Sequence, residues 1–396
     1  MHISEKELYG IDERMMSPLL SPLPSPLLTH EEMMSAISLM THRMDAIDSS
    51  CADAFPLYSP ESTDRWVTSS GGSWIGGFWS GCWWLRSRVT GSALDQRKAS
   101  DICQRLSQKI NSDSINRSLI FWYGAAPGDL WFGDANAREL AEESIAAIAA
   151  SYDPEMNCIP LGTGMGGGKE GNQLVTIDTL APLIQLLNGS EHGIYHQISR
   201  CHADTIIAAC HTDSGAYHAT AYFEQGGFRT AGRAGIWSRG QAWAMLGLSR
   251  AAAQWGEPYL AYARSACEYW RRSRPSRANS FPPNRLDDPS GPSDPSSSAI
   301  AALAFLSLAD LAPDGTQWCI YAHQQVTAIV RSQYFTGFPE NSDDKKNRDG
   351  TASGIFWGCH YKTSHDKDEL VESAWGSLFL MAALCVLIGA IKPNDF

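Results

Sequence analysis

No C-x-x-C pair occurs among the ten cysteines, which are scattered from Cys51 to Cys385 with no short-chain disulfide spacing. That excludes a disulfide scaffold and reads as reduced, mostly buried thiols. Basic residues are in deficit, 31 Lys and Arg against 43 Asp and Glu, for a net charge of −12. A nucleic-acid partner is thereby disfavoured, because phosphate binding needs a basic face. The longest apolar run, near 378–391, is too short and too interrupted to span a bilayer. The opening MHISEKELYGIDERMM is acidic where a secretory leader needs a basic start and an apolar core. These absences predict a soluble cytoplasmic protein with no membrane partner. There is also no G-x-S-x-G elbow, no phosphate loop and no dinucleotide fingerprint after a strand. His192 and His196 fall four apart, but without the glutamate of H-E-x-x-H or a third ligand nearby. Neither a metal nor a cofactor is expected.

Tryptophan is what the chain has in plenty. Fourteen of them, many clustered, suit a flat ligand such as a sugar, although large helical cores also consume Trp. Strand-like alternation is sparse, confined to Ala216–Phe223 and Gly354–His360. Helical periodicity recurs about twelve times, at His30–Ile47, Trp74–Val89, Ser92–Ile110, Ser114–Tyr123, Asn136–Ser151 and Val175–Leu187. It continues at Ile194–Cys210, Gly240–Gln254, Pro258–Arg272, Ser297–Leu311, Gln317–Ser332 and Leu370–Ile391. Thr29 is the expected cap of the first. Six such hairpins side by side predict an all-α fold, an (α/α)6 barrel with alternate helices forming an inner ring and minor β-segments in rim loops. A Pro/Ser/Leu arm over 1–30 and one barrel domain over 31–396 follow. Long loops at Pro154–Gly171, Gln225–Ile236, Pro275–Pro295 and Thr336–His365 are expected to gather at one rim.

The unusual residues fall on or just before the even-numbered helices. IWSRGQAWAMLGL, residues 236–248, sets Trp237, Arg239, Gln241 and Trp243 among small residues at the mouth of a helix. A rigid indole face beside a planar fork of donors suits a sugar ring that carries a carboxylate. Asp178 lies in the apolar VTIDTLAPLIQLL, where burial raises a carboxyl pKa and suits a general acid; the plainer reading is an N-cap. Asp129, in PGDLWFGDA, could supply a second carboxylate or be a turn aspartate. His218, in TDSGAYHATAYF, could contact a hydroxyl or carboxylate of a ligand.

These stretches together resemble the unsaturated glucuronyl hydrolases, glycoside hydrolase family 88, from Trp74 to Leu384. WIGGFWSGCWWL is similar to that family's W-x-D/G-G-F-W-x-G-x-x-W-L, DLWF to D-L-G-F, and IDT to the first motif of its catalytic helix. The stretch from His202 to His218, then WSRGQAW, SSSAIAALAFLSL and SAWGSLFLMAAL, continue the series in the family's order. The chain departs from the pattern at Trp131, at Leu180-Ala181-Pro182, and at Ser377 and Ala382.

The resemblance implies hydration of the C4=C5 double bond of a terminal unsaturated glucuronic acid, with Asp178 as acid and base and Asp129 assisting. Trp74, Trp79, His218, Trp237, Arg239, Gln241, Trp243, Ser297 and Trp375 would bind the sugar. The expected partner is an oligosaccharide ending in a uronic acid, and the expected state is a monomer or homodimer. The alternatives are a related barrel enzyme, such as an unsaturated rhamnogalacturonyl hydrolase, a glucuronidase or a sugar epimerase, or a non-catalytic sugar-binding homologue.

Overall fold

Helix α11 (Pro295–Leu311), reading PSSSAIAALAFLSLADL, is buried without a gap from Pro295 to Leu308. An apolar surface on every side forces a helix into the middle of a protein. By contrast α10 (Tyr259–Ser273) buries only Tyr259, Ala263, Ala266, Cys267 and Trp270, a single stripe, and keeps Arg271 and Arg272 in its last turn. This alternation of fully and singly buried helices runs through the whole molecule. The structure is a computed structural model describing residues 26–60, 65–274, 281–335 and 354–396. Residues 1–25 of the expected arm, and parts of the loops expected at 275–295 and 336–365, lie outside the described residues.

The inner ring consists of α2 (Gly76–Thr90), α4 (Arg117–Gly124), α7 (Leu180–Asn188), α9 (Ser238–Trp255), α11 and α13 (Ala374–Leu387). Each packs on the next, and α13 returns to α2, so the ring closes. The outer layer is α1 (His30–Cys51), α3 (Ala93–Gln104), α6 (Ala135–Ala149), α8 (Gly193–Cys210), α10 and α12 (Gly315–Val330). A short extra helix, α5 (Ala126–Phe132), follows α4. The fold is the (α/α)6 barrel. Local chemistry agrees with the architecture at its first turn: the Thr29 hydroxyl accepts from the Glu32 amide and the Glu32 carboxylate accepts from the Thr29 amide, a complete capping box. The glycines of WIGGFWSG are explained by helix contact, because a Cβ on Gly77 would stand 2.3 Å from the Ile120 carbonyl and one on Gly81 would stand 2.7 Å from that of Tyr123.

In α-hairpins of this kind all inner helices run the same way, and their N-termini define one mouth. Both sheets lie there. The first has the antiparallel order β2 (Val67–Ser69), β1 (Phe55–Pro60), β7 (Lys367–Ser373), β6 (Cys359–Ser364). The second is β3 (Leu174–Thr176), β4 (Thr220–Glu224), β5 (Gly227–Thr230). Each leads into, or stands before, an inner helix. The strands correct two expectations: the helices expected from Val175 and Leu370 begin at Leu180 and Ala374, each after a strand. The strand expected at Gly354–His360 is displaced to Cys359–Ser364.

The opposite end of the ring is filled. Phe396 is buried among Tyr123, Phe379 and Trp131, and its main-chain oxygen accepts from Arg250 Nη2 at 2.6 Å and Gln185 Nε2 at 3.2 Å. The ten cysteines are all unpaired, and burial pushes the Cys385 thiol up to about 12, which leaves it inert.

Candidate active site

Asp178 stands two residues before α7, at the mouth. The helix is capped by position, not by this carboxylate: the N-cap is Thr179, and no side chain caps the first turn. The capping alternative is therefore not what the structure shows. The Asp178 side chain accepts no hydrogen bond, and its Oδ1 is enclosed without a partner, although the residue as a whole keeps intermediate exposure. Burial pushes the carboxyl up to about 7, against the lowering pull of the Arg239 guanidinium. Near neutral pH such a group is divided between acid and base, which is the condition for moving a proton in both directions.

The neighbours are set by the second sheet. Thr176 pairs with Thr220, and the Ile177 amide donates to the Ala219 carbonyl at 3.0 Å. Extending that register places His218 across from Asp178. His218 Nδ1 is also enclosed without a partner. A cleft of about 320 Å³ is lined by Tyr217, His218, Ile236, Trp237, Gly240, Arg285 and Asp287, with Arg285 bridged to Trp237.

Arg239 opens the first turn of α9 and is held from three sides. Its Nη1 donates to Asp294 Oδ2 at 2.7 Å and to the His360 carbonyl at 2.8 Å. Its guanidinium carbon lies 5.1 Å from the centroid of Trp237 and 4.8 Å from that of Trp375. An arginine between two indoles is fixed by cation–π attraction on both faces. Trp74 and Tyr361 complete this side, with ring centroids 6.3 Å apart. Six helix N-termini converge on the mouth and bias it toward negative charge in a ligand.

Other expected residues fall elsewhere. Asp129 lies in α5, after the C-terminal end of an inner helix, and is ion-paired with Arg138 at 2.8 Å. Its neighbour Trp131 stacks on Phe396, so it belongs to the end of the barrel opposite Asp178. Trp79 is turned to the seam with α1 and α13, beside Met44 and Met381. Trp243 is buried edge-on to Phe379 at 5.0 Å, about 9 Å deeper than Trp237 at 1.5 Å rise per residue, and forms the floor beneath the mouth. Ser297 is buried and donates to the Asp294 carbonyl at 2.6 Å, within its own helix turn.

Gln241 is fully buried and spent on backbone: its Oε1 accepts from Tyr217 and its Nε2 donates to the Gly215 and Ala266 carbonyls. Each backbone group orphaned in a core costs about 1–3 kcal/mol. Gln241→Ala is therefore expected to lower stability by about 2–4 kcal/mol, read as an earlier denaturant midpoint. An unchanged midpoint would mean that these bonds carry nothing.

Sequence reasoning missed Asp294, which is wholly buried and holds Arg239. Its signal was there: an Asp directly before Pro295 and three serines is a helix start, with Pro at the first helical position. Arg274 was missed too. It is buried without a carboxylate partner among the described residues, lies 4.7 Å from the centroid of Trp270, and donates to the Gly235 carbonyl at 2.6 Å and to Ser238 Oγ at 3.0 Å. It braces the segment that carries Trp237 and Arg239.

No family model matches the sequence, and no curated protein matches it. Solved structures do match, and the class they define is that of the (α/α)6-barrel fold. An aspartate-to-asparagine mutant of UGL with dGlcA-Glc-Rha-Glc superimposes with a TM-score of 0.77 at 21% identity, over 91% of this chain and 97% of that one. The unsaturated glucuronyl hydrolase of Bacillus sp. GL1, described as responsible for glycosaminoglycan degradation, gives 0.75 at 21% identity, over 91% and 97%. An unsaturated glucuronyl hydrolase specific for heparin gives 0.76 at 16%, over 92% and 98%. At these identities the likeness is one of fold.

Proposed function

We propose that the chain is an unsaturated glucuronyl hydrolase of the family 88 kind, acting on oligosaccharides that end in a 4,5-unsaturated glucuronic acid. Residues 31–396 are its catalytic domain. The observation that carries this reading is Asp178: an enclosed carboxyl without a partner, poised near neutrality and facing Arg239 at the mouth of the barrel.

The chemistry follows from one group acting twice. Protonated Asp178 gives its proton to C4 of the double bond while positive charge develops at C5. Water adds at C5 and returns a proton to the Asp178 carboxylate, which regenerates the acid. The resulting C5 hemiketal opens, and the glycosidic oxygen leaves with the next sugar. One water is consumed overall. The uronate carboxylate sits toward Arg239 and the helix N-termini, the ring lies against Trp237 and Trp375, and His218 orients a hydroxyl or the incoming water.

One specific observation favours hydration over ordinary glycoside hydrolysis. The latter uses two carboxylates flanking one bond. Asp129 is at the other end of the barrel, and Asp294 is tied to Arg239. A single free carboxylate suffices for hydration. Incubation with lyase-generated disaccharides tests this: ultraviolet absorbance of the conjugated double bond should disappear as the second sugar is released. Release with the absorbance intact would point to a glycosidase or a lyase instead.

A further inference from the structure

Beside the site runs a strap, residues 281–286. On one flank it pairs with the entry to α9: the Ser238 amide donates to the Asn284 carbonyl and the Leu286 amide to the Ile236 carbonyl, both at 2.9 Å. On the other flank it pairs with the entry to α11. There the Asp294 amide donates to the Pro282 carbonyl at 2.9 Å, and the Asn284 amide to the Pro292 carbonyl at 2.8 Å. Both ends of the Arg239 side chain are thus set by one segment. Its root follows Ser238, and its guanidinium is held by Asp294 Oδ2 at 2.7 Å.

Arg274 locks that strap to the outer layer. It stands just past the end of α10 and donates from Nε to Ser238 Oγ at 3.0 Å and from Nη2 to the Gly235 carbonyl at 2.6 Å. Ser238 passes the hold on: it is wholly buried, and its hydroxyl donates to the Pro283 carbonyl at 2.6 Å. The fit is close, since a Cβ on Gly235 would meet the Tyr269 hydroxyl of α10 at 2.5 Å. A rigid guanidinium fork reaches two acceptors at a fixed angle, which an ammonium cannot reproduce. The charge is buried with no carboxylate beside it among the described residues, so it costs stability. Packing alone would be served better by an apolar side chain of that volume.

We propose that Arg274 is a positioning residue: through Ser238 and the strap it fixes where Arg239 points, and with it the grip on the uronate carboxylate. The carboxylate part rests on the hydrolase reading; the aim of Arg239 does not. Two variants test it. Arg274→Met keeps the volume and removes a lone buried charge, while Ser238→Ala leaves the charge and cuts the link. The reporter is Trp375, which stands on α13 with the Arg239 guanidinium 4.8 Å from its ring centroid. Its indole N–H resonance, in protein carrying isotope-labelled tryptophan and assigned with Trp375→Phe, follows that guanidinium. The control is Trp84, whose Nε1 donates to the Gly124 carbonyl at 2.9 Å, at the end of α4 away from the mouth.

Both variants should shift the Trp375 signal and leave that of Trp84 in place. With an unsaturated disaccharide both should raise KM by roughly tenfold, the loss expected of a misaimed charge-assisted pair. The fall in kcat should be much smaller, because Arg239 holds the carboxylate in ground state and transition state alike. The double variant should be no worse than the poorer single one, since both changes break one contact. An unmoved Trp375 signal in both variants, a loss in kcat as large as the rise in KM, or effects that add in the double variant would overturn the positioning role. So would a Trp84 signal that shifts along with Trp375 in both, the mark of general damage. If wild type turned over no unsaturated sugar, the hydrolase reading would fall, and the Trp375 signal would still decide the role of Arg274.

Discussion

Asp178→Asn is expected to give a folded protein that binds the unsaturated sugar and scarcely turns it over. An amide can neither protonate C4 nor take the proton from water, and general acid–base contributions of roughly 10²–10⁴-fold set the least loss in kcat. Affinity should persist, because the carboxylate of the sugar is held by other groups. Stability supplies an independent check with a definite sign. The Asp178 carboxyl titrates at about 7 in the fold, above its ordinary 3.8, so between those values the native state holds more protons than the unfolded one. Its contribution therefore falls as pH rises through that window. Asparagine removes this dependence: the variant should gain stability relative to wild type above pH 7 and lose the advantage near pH 4. Wild-type activity should decline over the same upper range as the acid is deprotonated. A variant keeping more than a few per cent of the wild-type rate would exclude Asp178 as the acid.

Asp294→Ala should have the largest effect on the fold around the site. The carboxylate is fully buried, and its loss leaves Arg239, itself 13% exposed, without its counter-charge. Breaking a buried pair on one side costs about 3–5 kcal/mol. Two further consequences distinguish this from general damage. The guanidinium, no longer held, should raise KM for the uronate. Its unneutralised charge should also pull Asp178 further down, moving the alkaline limb of the pH profile to lower pH. A destabilised protein with an unmoved pH profile would show that Asp294 supports the helix start alone.

The barrel was legible in the sequence because its cause is local. Helices such as α11, apolar on every side, alternate with singly striped ones such as α10, and that pattern reads directly as inner and outer. Asp178, Arg239 and Trp237 were legible for a related reason: each is a costly residue at the start of an inner helix. Asp129 failed where the motif D-L-G-F was matched by spelling. A four-residue likeness says nothing about which end of a helix it occupies, and here it follows α4, with a departure at Trp131 that packs on Phe396. Gln241 and Ser297 failed differently. Their polar atoms are satisfied by backbone 24 and 3 residues away, and single-sequence reading does not count such bonds. The rim strands stayed hidden because their partners are distant, as where Tyr58 of β1 pairs with Ser373 of β7.

The central claim is that Asp178 delivers a proton to C4 and water enters at C5. The most direct measurement is turnover of an unsaturated disaccharide in deuterated water, followed by nuclear magnetic resonance with the ultraviolet absorbance recorded alongside. One deuterium is expected at C4 of the released uronate, gained in step with loss of the double bond, and neither event in Asp178→Asn. Release of the second sugar with no deuterium at C4, or deuteration that persists in the Asn variant, would contradict it.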